Sequence, residues 1–177
     1  EQMHFTDMTS FLRSLRMKIT IEPLNDFNLD RIAQMTQKTN QFNLTTKRYT
    51  DADIRKMQEE GCKIWCISVE DRFGDNGITG LIIIKDNTID ELLLSCRILG
   101  KGIEFVFVKT ILKTLRDAGF KEINAEYIPT AKNGQVSDFY DRCGFTLVGE
   151  DNHVKEYKLD LNKARLDVEE YYQITIK

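Results

Sequence analysis

The chain has 177 residues, 30% charged and 41% hydrophobic, with a formal net charge of −3. That length is enough for one domain with a proper core, and the composition is that of an ordinary soluble globular protein. No basic excess marks a nucleic-acid partner, and no apolar run has the length of a membrane span or the form of a signal peptide, so no nucleic acid, no membrane and a cytoplasmic setting are expected.

Residues 1–16 read as a short amphipathic linker helix with Phe5, Met8, Phe11, Leu12 and Leu15 on one side. The chain starts without an initiator methionine, which suggests a piece of something longer; residues 17–177 are expected to form the main domain. Met17 to Pro23 alternates like a strand. Asn28 or Asp30 is placed to cap a helix through Ile32, Ala33 and Met35. The polar stretch 39–46 follows, then a second helix from about Thr50 to Glu60, stopped by Gly61. Strands over 63–69 and 78–85 flank the turn signal Gly74-Asp75-Asn76-Gly77 and predict a hairpin. A further strand spans 88–96, a long helix 103–118 closed by Gly119, a strand 121–127, a short helix 136–142, and late strands 145–148 and 154–159. Consecutive strands with helices interleaved around them predict a mixed α/β (α+β) sheet with helices on both faces. The segment 169–176 is read as either an extra edge strand or a strand that pairs with another copy.

Cysteines 62, 66, 96 and 143 lack CxxC spacing and nearby histidines, so no metal site is expected and the thiols are read as reduced. His4 and His153 have no partner motif. The most informative run is Cys96-Arg97-Ile98-Leu99-Gly100-Lys101-Gly102-Ile103-Glu104. A strand that ends in a glycine turn and feeds a helix N-terminus leaves backbone N–H groups free, and with the helix dipole these make an anion site suited to a cofactor phosphate.

Two segments resemble the GNAT acyltransferase fold. Gly100-Lys101-Gly102-Ile103 resembles the G-x-G-[IV] core of the acyl-CoA pyrophosphate loop, and the run from Asn133 through Val136, Phe139, Tyr140 and Gly144 to Phe145 is similar to N-x-x-A-x-x-L-Y-E-K-x-G-F. The resemblance implies a GNAT-like mixed, mostly antiparallel central sheet. A narrower likeness, to FkbH-like proteins, is carried by residues 31–46, 71–77, 95–97 with the glycine turn, and 127–133. Those proteins join a haloacid-dehalogenase-type phosphatase domain to a C-terminal GNAT-like domain and are associated with moving a glyceryl unit onto an acyl carrier protein for polyketide extender units. No D-x-D-x-[TV] phosphatase motif occurs here, so the phosphatase domain is an expected partner rather than part of the chain.

What the resemblance implies can be stated residue by residue, each beside a plainer alternative. Tyr140 is expected to protonate a leaving thiolate, or else to pack its helix. Cys96 would hold the acyl group as a thioester, or else be a small buried apolar residue. Leu94, Arg97, Gly100, Lys101, Gly102 and Asn133 are the expected cofactor contacts; Arg97 and Lys101 are otherwise solvated cations and Asn133 a helix N-cap. Asn40, Gln41 and Asn43 are expected to bind a polyol acyl group, or else to serve turns and caps. Glu91 is read as structural, with a general-base role as the rival.

The loop admits two registers. Arg97-x-x-Gly100-x-Gly102 matches [QR]-x-x-G-x-[GA] formally, whereas helix periodicity through Phe107, Val108 and Ile111 favours Gly100-Lys101-Gly102-Ile103-Glu104 in place of G-x-G-[IV]-G. In the second register Glu104 competes with a diphosphate for the same N–H groups. That favours the phosphopantetheine of an acyl carrier protein over free acyl-CoA. The expected function is acyl transfer of a small hydroxyacyl, glyceryl-like group on such a thiol. The alternatives are a non-catalytic carrier-docking module and an acetyl-CoA-dependent N-acetyltransferase.

Overall fold

The computed structural model describes residues 5–177. Helix α1 runs Phe5–Ser14; the rest of the expected N-terminal helix, with His4, lies outside the described residues. Leu12 and Leu15 are buried in the main core, and the Leu15 carbonyl accepts the Arg72 N–H at 2.9 Å, so this helix is packed onto the sheet. Strand β1 (Lys18–Pro23) sends Ile19 and Ile21 into the same core. Helices α2 (Leu29–Lys38) and α3 (Asp51–Glu59) follow. Thr50 and Asp53 form a reciprocal capping box at the start of α3, a device that contributes about 1 kcal/mol. Asn28 stands at the N-cap of α2 without a side-chain cap bond; its amide reaches Pro23 and Cys66 instead.

Strands β2 (Lys63–Asp71), β3 (Gly74–Lys85) and β4 (Thr88–Leu94) make the antiparallel centre. The first hairpin turns earlier than the sequence suggests. The reversal is at Arg72-Phe73, because Asp71 Oδ1 accepts the Phe73 N–H at 2.8 Å and Gly74 has φ 141°. Gly74–Gly77 therefore extends β3, with irregular register against Ser68–Asp71. After β4 come a 3-10 turn at Cys96–Ile98, helix α4 (Ile103–Asp117) and strand β5 (Glu122–Tyr127). The helix expected over 136–142 is instead a 3-10 turn at Gly134–Val136 and the single-turn α5 (Phe139–Arg142). Strands β6 (Thr146–Asp151), β7 (Val154–Asp160) and β8 (Gln173–Ile176) complete the chain.

The sheet order is β6-β7-β5-β4-β3-β2-β1-β8. It is antiparallel except where β4 meets β5 and where β8 meets β1. The segment 169–176 thus supplies an edge strand to its own sheet. Period-two alternation divides the apolar residues between two cores. Ile82, Ile84, Leu92 and Leu94 join α1, α4 and the returning C-terminal segment; Leu81, Ile83 and Leu93 join α2 and α3. Covered on both faces, β3 and β4 carry the short apolar runs Leu81–Ile84 and Leu92–Leu94. The pairing of β4 with β5 covers only Thr88–Asn124 and Ile89–Ala125, after which the strands part.

Candidate active site

Where two parallel strands separate, each keeps a row of backbone groups that must find partners. On β4 they find residues 42–47 of the polar stretch between α2 and α3. Leu94 N–H donates to the Phe42 carbonyl at 3.1 Å, and Leu44 N–H donates to the Leu92 carbonyl at 3.1 Å. Asn43 and Leu93 form an antiparallel bridge, Thr45 Oγ1 donates to the Asp90 carbonyl at 2.8 Å, and Lys47 N–H donates to Glu91 Oε2 at 2.9 Å. On the far side, Ile128 N–H, just beyond β5, donates to the Leu44 carbonyl at 2.9 Å. A piece of the chain itself fills the splay.

This corrects four expected contacts. Leu94 does not offer its main chain to a cofactor, because Phe42 already accepts its N–H. Asn133 has no free group: Nδ2 donates to the carbonyls of Asn43 and Ile128, both at 2.9 Å, and Oδ1 accepts from Thr130 N–H at 2.8 Å and Tyr127 Oη at 3.2 Å. Asn43 is fully buried, with Nδ2 on the Thr39 carbonyl and Oδ1 accepting the Thr46 N–H. Asn133 and Asn43 together hold the filling segment against β5. Asn40 accepts from Arg48 and donates to the Lys38 carbonyl, closing its own loop.

Gln41 is the member of that group that faces outward, and Oε1 accepts from Cys96 Sγ at 3.0 Å. Cys96 is exposed at the end of β4, so the buried-apolar alternative does not hold for it. Arg97 beside it is exposed and has no hydrogen-bond or ion-pair partner among the described residues. Cys62 and Cys66 are buried against α2 and α3; burial raises both thiols, Cys66 to about 12.

The glycine turn feeds a helix, as both registers require. Gly100 and Gly102 have φ 84° and 77°, a conformation that side chains rarely tolerate, and α4 starts at Ile103. The amides of residues 100–103 have no acceptor among the described residues. The loop is braced from its other side: Lys101 Nζ meets Asp71 Oδ2 at 3.3 Å, and Tyr172 Oη donates to the Lys101 carbonyl at 2.7 Å. Lys101 is therefore a partly paired cation. Tyr172 comes from the C-terminal segment and carries no local motif, so nothing in the sequence pointed to it. Glu104 lies in the first turn of α4 with one carboxylate oxygen buried and unpartnered; burial pushes its carboxyl up, while its own backbone N–H and Arg142 pull it down.

Beside the loop is a pocket of about 170 Å³ lined by Phe42, Leu99, Glu104, Gln135, Phe139 and Arg142. Tyr140 is 1% exposed, packed among Phe139, Phe145 and Tyr157, and its hydroxyl has no partner among the described residues. Burial, the first cause, pushes the pKa of its hydroxyl well above that of an ordinary phenol, making it a weaker acid. Glu91 is fully buried in β4, where burial pushes its carboxyl up to about 8 against the opposing pull of the Leu92 and Lys47 N–H groups. Among the described residues no cluster of His, Cys, Asp or Glu could hold a metal, and no helix is long and apolar enough to cross a membrane.

The sequence matches no protein-family model and no curated protein. Solved structures do share the fold. A domain from Methanocaldococcus jannaschii is 18% identical with TM-score 0.62, over 81% of this chain and 99% of that one. The ribosomal-protein-S18-alanine N-acetyltransferase of Escherichia coli is 13% identical with TM-score 0.63, over 85% and 99%. A Vibrio cholerae spermidine N-acetyltransferase, solved with CoA and spermine, is 15% identical with TM-score 0.57, over 82% and 96%. The fold is that of the GNAT acetyltransferases; at these identities the likeness is one of fold.

Proposed function

We propose that this domain performs acyltransferase-type chemistry in which a small hydroxyacyl group, glyceryl by the FkbH-like resemblance, passes between the phosphopantetheine thiol of an acyl carrier protein and Cys96. The observation that carries the proposal is an exposed thiol one turn ahead of a glycine loop whose amides are unpaired. The arm's single phosphodiester suits those amides and Arg97. Its thioester then meets Cys96 at the outer mouth of the splay. The Cys96 sulfur attacks the acyl carbon, a new thioester forms, the old carbon–sulfur bond breaks, and the proton of the Cys96 thiol ends on the pantetheine sulfur. Gln41 orients the Cys96 S–H. Exchange between two thiols needs no separate proton donor, so the buried Tyr140 hydroxyl is not required as the acid in this step. A haloacid-dehalogenase-type phosphatase domain is the expected supplier of the activated acyl group.

Free acyl-CoA is the rival donor; the Glu104 carboxylate in the first turn of α4 would compete with its diphosphate for the loop amides more than with a single phosphodiester. The filled splay, with Asn133 and Leu94 committed to internal bonds, favours carrier docking without chemistry as the second reading. Intact-protein mass spectrometry after incubation with an acyl-loaded carrier separates the two. A hydroxylamine-labile adduct on Cys96, lost in Cys96→Ala, is the expected result. An unmodified Cys96, with transfer by the full system surviving Cys96→Ala, overturns the transferase proposal in favour of docking.

A further inference from the structure

The acidic chain carries one strongly cationic cleft, of about 470 Å³, outside the site described above. Lys109 of α4, Arg142 of α5, Lys158 of β7, and Lys163 and Arg165 of the following turn surround it, against the lone carboxylate of Asp160. Asp160 is itself engaged by the Asn162 N–H at 3.0 Å. Arg142, Lys163 and Arg165 have no ion pair among the described residues, and the Lys158 pair with Glu122, at 3.7 Å with both side chains about half exposed, is weak. The Arg142 guanidinium is held over the Phe105 ring at 5.0 Å, and Lys109 Nζ by the Asp167 carbonyl at 3.3 Å. The floor is apolar, made of Leu159, Ala164 and the Cys143 thiol, which burial keeps protonated.

We propose that this cleft is a docking surface for an acidic protein face, that of the carrier whose arm serves Cys96; the carrier's identity rests on the function proposed above. Two observations select that occupant. Four of the five cations, Arg142, Lys158, Lys163 and Arg165, are exposed on the rim and come from α5, β7 and the turn after β7. That arrangement matches a spread of carboxylates on a partner surface better than one compact phosphate, which would call for convergent buried donors. Continuity is the second: Arg142 lines both this cleft and the 170 Å³ pocket at the glycine loop. A partner seated in the cleft therefore has its arm directed past Arg142 to the loop amides. Like-signed charges within about 8 Å of one another add their fields at physiological salt and speed encounter with an acidic face.

The test is a fluorescence titration of the whole chain with labelled acyl carrier protein that lacks its phosphopantetheine arm, so that docking is read without thiol chemistry. Binding is expected to weaken about tenfold between about 50 and 300 mM NaCl, and about tenfold at low salt in the double variant Lys163→Glu, Arg165→Glu. Acylation of Cys96 by a free acyl-pantetheine is expected unchanged in that variant, so a failure of docking is distinguishable from a failure of the transferase proposal. Binding that ignores both salt and charge reversal overturns the inference. So does absent carrier binding together with saturable binding of adenosine 3′,5′-bisphosphate, which would make the cleft a nucleotide site. Lys163→Gln, Arg165→Gln and the salt dependence of the unaltered chain keep the test decisive if the charge reversal impairs folding.

Discussion

Replacing Asn133 by alanine removes the clamp that seats the filling segment in the splay. The side chain is completely buried and makes four hydrogen bonds, two donated to the carbonyls of Asn43 and Ile128 and two accepted from Thr130 N–H and Tyr127 Oη. Alanine strands the two carbonyls and the Thr130 amide, none of which has a second partner among the described residues. At about 1–3 kcal/mol for each group left unsatisfied, and allowing for entry of water, the loss is about 4 kcal/mol. That is a large share of the total of about 5–15 kcal/mol that holds a domain folded. Trp65, the single tryptophan, lies half-buried in β2 and reports urea unfolding. With a slope of about 2–3 kcal/mol per molar urea, the midpoint should fall by about 1.3–2 M with the slope unchanged. Amide exchange at Leu44 and Ile128, the main-chain pair across the splay, should accelerate with it. A midpoint shift under about 0.3 M would refute the clamp and return Asn133 to a ligand-binding role.

Glu91 and Tyr140 give two further expectations. The Glu91 carboxyl stands at about 8 in the folded protein, above its unfolded value of about 4.3. Its contribution to stability is therefore complete below about pH 4.3 and is lost as the pH rises toward 8. Glu91→Gln should flatten this decline in thermal midpoints measured across pH 5–8; an unaltered pH slope would refute the assignment. Tyr140→Phe removes a buried hydroxyl that has no partner, so the variant should be as stable as the parent or up to about 1 kcal/mol more stable. A loss above about 1 kcal/mol in urea unfolding would reveal a bond that the hydroxyl makes in solution.

The glycine turn was legible because its constraints are local. Positive φ at Gly100 and Gly102 and the periodicity of Phe107, Val108 and Ile111 both place the start of α4 at Ile103, where it is found. The strands were legible for a similar reason, since alternation and turn signals act over a few residues. Even so, an Asx bond from Asp71 moved the first hairpin turn to Arg72-Phe73, and in place of the helix expected over 136–142 stand a 3-10 turn at Gly134–Val136 and the single-turn α5.

Side-chain roles were less legible, and Asn133 shows why. Its position suited either a cap or a ligand contact, and it makes neither a cap bond nor a free site, because its partners come from residues 43, 127, 128 and 130. Asn40, Gln41 and Asn43 look alike in sequence, yet only Gln41 faces Cys96; Asn43 is consumed within its own loop. The C-terminal segment gave no signal for Tyr172, which reaches back to Lys101 across 71 residues of chain.

The sequence by itself determined most of the strands and helices, a mixed sheet with helices on both faces, and a glycine turn that opens a helix a few residues after Cys96. Each follows from side-chain periodicity or from glycine's backbone freedom, which neighbouring residues specify. Only the tertiary structure decided that the gap beyond β4 is closed by residues 42–45 and that the cations of α4, α5 and β7 converge on one cleft. Backbone hydrogen bonds across a splay, and charges gathered from distant elements, depend on which segments meet in space.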